Sequence, residues 1–310
     1  MCIRDRMKSE SMKKILISGA TGLVGKKLSQ KLYERGYNVE ILVRSKKEKT
    51  NFKSYLWDYK NNFLEDGALE QTYIFIHLAG ASISNRWTDS YKKEIYASRI
   101  DSAQFIFDQM KAKIIHPEAV ISSSAVGFYG QITSDHIFSE NDIPGEDFLG
   151  NVCRDWEMKA IQFQNLGSRV VQVRTATVLS EKGGALEVLR KPVDYNIGAV
   201  LGNGKQYFPW IHIDDLVNMY LKAVEDASMT GAYNASAPEF VNNEIFTKKL
   251  ASHLGKKIIL PNVPKFIIRT MLGEMSVIAL EGSRISADKI QNSGFKFAYK
   301  TLEEALSDVL

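Results

Sequence analysis

The chain has 310 residues, 45% apolar and 25% charged, with 40 Lys and Arg against 36 Asp and Glu. At roughly 150 residues per domain that is enough for about two domains with a full core, so the composition excludes a small stapled scaffold and a disordered chain. No run of about 18 apolar residues is present to cross a bilayer, and the basic residues are scattered rather than clustered as a phosphate backbone would require. Cys2 and Cys153 are the two cysteines. With no Cys-x-x-Cys or His-x-x-x-His grouping they offer neither a disulfide framework nor a zinc site. The expectation is a cytoplasmic protein with a small-molecule substrate and with neither nucleic acid nor membrane as partner.

Met1 to Met12 is polar, lacks the apolar core of a signal peptide and precedes the first strand, so residues 1–12 are expected to lie outside the fold, with Met7 or Met12 as the natural start. Lys14 to Ser18 is short and apolar on both faces, as in a strand buried within a parallel sheet. Gly19-Ala20-Thr21-Gly22-Leu23-Val24-Gly25 then opens a helix with Val24, Leu28 and Leu32 on one face, which Gly36 is placed to end in the left-handed conformation. Strand-like runs recur at 39–43, 73–78, 119–123 and 169–174, with helical stretches near 90–111 and 151–166. Strands alternating with helices predict a doubly wound α/β fold with a parallel, Rossmann-like sheet. Past Trp210, helical segments near 214–226, 243–254 and 264–281 dominate. They predict a nucleotide-binding domain over 13–210 and a smaller, mostly helical closing domain over 211–310, although strands of the two can interleave.

A dinucleotide pyrophosphate needs backbone N–H groups aimed at it and no side chains in the way, and Gly19, Gly22 and Gly25 stand at a strand-to-helix turn where that demand arises. Thr21, Leu23 and Val24 complete the predicted phosphate loop. The second strand ends at Arg44, nineteen residues after Gly25, where an acid would normally bond the ribose 2′-OH. A guanidinium there, with Lys46 and Lys47 close behind, can instead pair with a 2′-phosphate. The pattern favours NADP(H) over NAD(H); the alternative is a solvated basic turn.

From Lys13 onward the chain resembles the extended short-chain dehydrogenase/reductases. Ser122-Ser123-Ser124-Ala125 with Tyr129-Gly130 is similar to the Ser-Ser-x-x-x-Tyr-Gly segment of sugar-nucleotide epimerases, and Trp210-Ile211-His212-Ile213-Asp214-Asp215 to their later His-x-x-Asp segment. More narrowly it resembles the atypical branch known as epimerase family proteins, which carry a C-terminal domain of unknown function. The marks are His77-Leu78-Ala79-Gly80-Ala81, Arg86-Trp87-Thr88, Ser98-Arg99, Phe148-Leu149, Arg174-Thr175, Gly183-Gly184-Ala185, Gly202-x-Gly204 and Leu272-Gly273-Glu274. The resemblance implies cofactor contacts from Leu78, Ala79, Gly80 and Ser122, and from Glu94 and Arg99 on the helix after the third strand. There Arg99 would reach a cofactor phosphate or ribose and Glu94 a sugar hydroxyl; the plainer alternative is an ion pair on a solvated helix face.

Catalysis in the wider superfamily uses a Tyr four residues before a Lys, the phenol moving the proton and the ammonium lowering its pKa. None of the 13 tyrosines here has a Lys in that position. Counting back from Glu157, the Tyr position falls on Leu149 and the Lys position on Cys153, and neither can do the work. The atypical branch shares this loss. Ser124 at the superfamily's Ser position and Tyr129 on the loop beyond it are the remaining catalytic candidates, with Tyr129 expected to face the nicotinamide cleft. His212 reads as part of an interdomain contact, and Cys153 as an inert buried thiol. The predicted function is an NADP(H)-binding, oxidoreductase-like protein acting on an unknown small molecule. The alternatives are a non-catalytic NADP(H) sensor and, third, a sugar-nucleotide epimerase.

Overall fold

In the computed structural model, which describes residues 13–48 and 50–310, each apolar run becomes a strand because its alternate side chains find two separate cores. The strands are β1 (Lys14–Ser18), β2 (Asn38–Val43), β3 (Lys53–Asp58), β4 (Phe63–Leu64), β5 (Thr72–His77), β6 (Ala119–Ala125), β7 (Ile137–Phe138), β8 (Arg169–Thr175), β9 (Thr177–Leu179), β10 (Trp210–His212), β11 (Gly231–Ala235) and β12 (Arg284–Ile285). Eight form one sheet in the order β11-β8-β6-β5-β1-β2-β3-β4. All its neighbours are parallel except β4, which runs antiparallel to β3. β9 pairs with β10 and β7 with β12 in two small parallel ladders. The expectation for residues 1–12 lies outside the described residues.

The helices are α1 (Leu23–Glu34), α2 (Asp89–Ala97), α3 (Ile100–Ala112), α4 (Phe148–Ile161), α5 (Gly184–Asp194), α6 (Ile213–Glu225), α7 (Asn243–His253), α8 (Lys265–Leu272), α9 (Ser276–Leu280), α10 (Asp288–Asn292) and α11 (Leu302–Val309). Ile15, Ile17, Ile74 and Ile76 turn to one face of the sheet and pack with Leu28 and Leu32 of α1 and Leu216 and Tyr220 of α6. Leu16, Phe75 and Val120 turn to the other, against Phe105, Ile106 and Met110 of α3. Leu28 and Leu32 are fully buried, each stabilising the fold by about 1.5–3 kcal/mol. Gly36 has φ +88 and closes the connection after α1 as its sequence position predicts. These alternating layers make the chain a doubly wound α/β protein.

A third core joins Leu179, Leu186, Val193 and Trp210 to Phe246, Leu250, Leu302 and Leu306. The division expected after residue 210 therefore does not follow the packing. Residues 177–212 contribute to the C-terminal core, whereas α6 and β11 return to the main sheet, β11 as its edge strand beside β8. At the junction His212 caps α6 by accepting from the Asp214 N–H at 3.1 Å and meets Asp308 of α11 at 3.1 Å. Its ring lies 3.7 Å from that of Tyr299. Buried Asp215 accepts from the Ala298 and Tyr299 N–H groups at 2.8 and 3.0 Å. His212 thus lies where α6, packed on the main sheet, meets α11 of the third core.

Candidate functional site

The C-terminal edge of the sheet places the glycine turn at its centre, and each glycine answers a different requirement. Gly19 has φ +73, and a Cβ there would stand 2.6 Å from the Leu78 carbonyl, so only glycine lets β1 and β5 approach this closely. A Cβ on Gly25 would lie 2.3 Å from the Gly19 oxygen; this glycine seats α1 against the turn. Gly22 is exposed and extended, and a Cβ on it would meet only the Gly19 oxygen, at 3.3 Å. It is the N-cap of α1, no side chain caps the helix, and the first turn holds no acid. The free N–H groups and the positive end of the helix dipole therefore face open space, which fits a pyrophosphate.

Register brings the other predicted edge residues to the same place. Ser18 of β1, His77 of β5 and Ser122 of β6 stand in one row, so Leu78, Ala79 and exposed Gly80 follow directly beside the turn. His77 is buried between Ser18 Oγ at 2.7 Å and Ser102 Oγ at 3.3 Å. Burial lowers its pKa to about 4, and the ring is neutral at physiological pH. The Ser122 hydroxyl donates to the Ser123 carbonyl at 3.0 Å.

The single helix expected near 90–111 breaks at Ser98 and Arg99 into α2 and α3, and the break parts two predicted contacts. Arg99 turns inward beneath Gly80, donating to the Ala81 and Ile95 carbonyls at 2.9 and 3.0 Å, with its guanidinium 5.2 Å from the Trp156 ring. Burial lowers its pKa, and no carboxylate pairs with it among the described residues. Arg99 therefore backs the strand-end loop. Glu94 turns the other way and accepts from Lys60 Nζ at 2.6 Å; the Glu94–Arg99 ion pair is not formed.

On the far side of the turn, Arg44 stands exposed at the end of β2. A cleft of about 570 Å³ beside α1 is lined by Thr21, Lys26, Lys46, Lys47, Glu48 and Phe52, with other residues. Lys46 is committed to the Glu65 carboxylate at 2.9 Å and the Ser54 carbonyl at 2.5 Å. Lys26 and Lys47 form no ion pair among the described residues. Lys26 was missed in the sequence, although its place directly after Gly25 was the available signal.

The two catalytic candidates are placed otherwise than expected. Ser124 is 3% exposed and its hydroxyl donates to Glu157 Oε1 at 2.7 Å, so while that bond stands its only proton is unavailable to a substrate oxygen. Glu157 in turn binds Arg174 through two bonds of 2.8 Å. Tyr129 is also 3% exposed. Its hydroxyl accepts from Arg174 at 2.9 Å and donates to Asn234 Oδ1 of β11 at 2.6 Å, while its ring packs 5.1 Å from Phe138. Gly130 follows with φ +82, and burial pushes the phenol up to about 12. The expectation that Tyr129 faces the cleft is thereby corrected. Cys153 is buried with its thiol pushed up to about 12 by burial, beside Leu149 and Gly127. The Ser124–Glu157–Arg174–Tyr129–Asn234 network was invisible as a motif, because its members come from four separate segments.

Comparison with known proteins places the fold in a family. Residues 263–309 match a model described as a domain of unknown function. An epimerase family protein of Staphylococcus haemolyticus is 36% identical over 307 residues, covering 96% of this chain and 99% of that protein; one from Staphylococcus saprophyticus is 36% identical over 304 residues, covering 96% and 100%. The crystal structure of a human epimerase family protein with NADPH superposes with a TM-score of 0.84 at 27% identity, over 96% of this chain and 98% of that one. A nucleoside-diphosphate sugar epimerase from Corynebacterium glutamicum gives a TM-score of 0.78 at 32% identity, over 96% of this chain and 58% of that one. With residues 15–236 matching its model from the first strand to the edge strand of the sheet, the chain belongs to the NAD dependent epimerase/dehydratase family.

Proposed function

We propose that the protein binds NADP(H), with the pyrophosphate over the start of α1 and the 2′-phosphate among Arg44, Lys26 and Lys47. The observation that supports it is an uncapped helix start with open space at Gly22, lying next to a cleft that carries three lysines. The human relative solved with NADPH supports the same choice. NADP(H) is preferred to NAD(H) because the end of β2 offers Arg44 in place of an acid for the ribose 2′-OH. When bound, the nicotinamide supplies a hydride donor or acceptor. The chain's own residues hold and orient it: the turn binds the phosphates, and Leu78 to Gly80, backed by Arg99, form the adjoining wall.

In the oxidoreductase-like reading, a small molecule exchanges hydride and takes its proton from water or from a group outside the Ser124–Tyr129 network. The enclosure of both hydroxyls favours a second reading, a non-catalytic sensor whose partner affinity follows the redox state of the nucleotide. The lost Tyr–Lys pair weighs against sugar-nucleotide epimerisation. Calorimetric titration tests the shared part: NADPH should bind more tightly than NADH, and Arg44→Asp should cost about 10–150-fold in NADPH affinity. Equal affinities in the unmodified protein would remove Arg44 from the site. Absorbance at the reduced-nicotinamide band, with a panel of carbonyl compounds, then separates the readings: turnover selects the oxidoreductase, and its absence across the panel selects the sensor.

A further inference from the structure

The stretch from Lys256 to Met271 contains four basic residues, Lys256, Lys257, Lys265 and Arg269, and no acidic one. Lys265 is paired with Glu281 at 3.4 Å; the other three form no ion pair among the described residues. In the same stretch Ile259, Phe266 and Met271 are 77%, 69% and 71% exposed, and Leu260 and Ile267 are exposed beside them. Single exposed apolar residues are ordinary on a protein surface, but five within one short segment are not. Of the residues of α8 only Ile268 is buried, so the helix carries more apolar side chain than its own packing uses.

The segment is held at its middle and just past its end. Val263 accepts from the Gly202 N–H at 2.8 Å. Beyond α8, Glu274 pairs with Lys92 at 2.5 Å, and Met275 and Val277 pack on the Trp87 and Ile95 cluster. Around these anchors Ile259, Leu260, Phe266, Ile267 and Met271 stay exposed, and among the described residues none of the five joins a core cluster. A second copy docked face to face about a two-fold axis would gather six unpaired cations, three from each copy, into one interface, which like-charge repulsion disfavours. An anionic lipid surface satisfies both halves of the pattern, because apolar side chains enter the acyl boundary while Lys and Arg remain at the headgroups. We propose that residues 256–271 form a docking surface for anionic lipid. The described helices include none able to cross a membrane; that concerns spanning, whereas this contact lies on the surface.

The test is sedimentation of the full chain with phosphatidylcholine vesicles, with and without phosphatidylserine, at low and high salt. The expected result is binding to the phosphatidylserine vesicles roughly 100-fold stronger than to phosphatidylcholine alone, for three unpaired cations, and released by salt. Phe266→Asp with Met271→Asp should lower partitioning by about tenfold or more, as should Lys257→Glu with Arg269→Glu. Both variants should keep the thermal midpoint and NADPH affinity of the parent. Equal sedimentation with and without phosphatidylserine overturns the proposal. So does a dimeric mass by light scattering that the apolar double variant abolishes, which assigns the face to a second copy. Loss of NADPH affinity in that variant assigns it to the nucleotide cleft and overturns the proposal equally.

Discussion

Replacing Gly22 by Val separates ligand binding from folding at the glycine turn. Gly22 has φ −74 and ψ 175, a conformation open to any residue, and a Cβ there meets one atom at 3.3 Å, close enough to require a shift of a few tenths of an ångström. The loss of a good N-cap costs about 1 kcal/mol, or a fall of about 1–2 °C in the thermal midpoint of a chain of 310 residues. The valine methyls, however, would occupy the space over the free N–H groups of α1. Losing even one charge-assisted bond to a phosphate costs about 1.5–3 kcal/mol, so NADPH affinity should fall by about 10–150-fold for each. Gly25→Ala is the converse control: its Cβ overlaps the Gly19 oxygen at 2.3 Å, and overpacking of this kind costs about 1–3 kcal/mol or more. Circular dichroism melts and NADPH fluorescence titrations, run on both variants, decide the matter. Undiminished affinity in a folded Gly22→Val protein would refute the reasoning and leave that glycine with a packing role alone.

Tyr129→Phe should leave NADPH affinity unchanged and destabilise the fold by about 1–3 kcal/mol, because Asn234 Oδ1 and an Arg174 N–H lose their partner; a lowered turnover with an unaltered melt would return Tyr129 to the active site. His77 has its pKa lowered by burial from 6.5 to about 4, so the unfolded chain binds a proton that the folded one refuses. Its contribution, on the order of 3 kcal/mol, is complete above pH ~6.5 and is lost as pH falls towards ~4. Urea midpoints across that window should fall more steeply in the parent than in His77→Asn, and parallel curves would contradict the assignment.

The central layers were legible because the buried strands of a parallel sheet are continuous apolar runs: β1, β2, β5, β6 and β8 all stand within two residues of their expected ends. β3 and β11 were not. Lys53–Asp58 shows only alternation, burying Tyr55 and Trp57 on one side, and Gly231–Ala235 consists of residues of low strand propensity apart from Tyr233, placed in the sheet by pairing with β8. The phosphate turn was readable since its requirement is local, three glycines between a strand and a helix. What the Ser124 and Tyr129 hydroxyls do was not, because it depends on Glu157, Arg174 and Asn234, which only the folded sheet brings together.

The place of β11 at the sheet's edge also fixes an order of events during synthesis. Residues 176–230 separate it from β8, so at ~5–20 residues per second the open side of β8 waits about 3–11 s for its neighbour on the ribosome. Through that interval Val171 and Val173 belong to a strand with one row of unsatisfied backbone groups, the kind of edge to which another nascent chain can add itself. All three glycines of the phosphate turn are translated long before this, yet the sheet that carries them is not closed until Ala235 has been made. Asp215 waits longer still, for the amides of Ala298 and Tyr299. A chain stopped anywhere before residue 235 would thus display the nucleotide turn on a sheet still open at its edge.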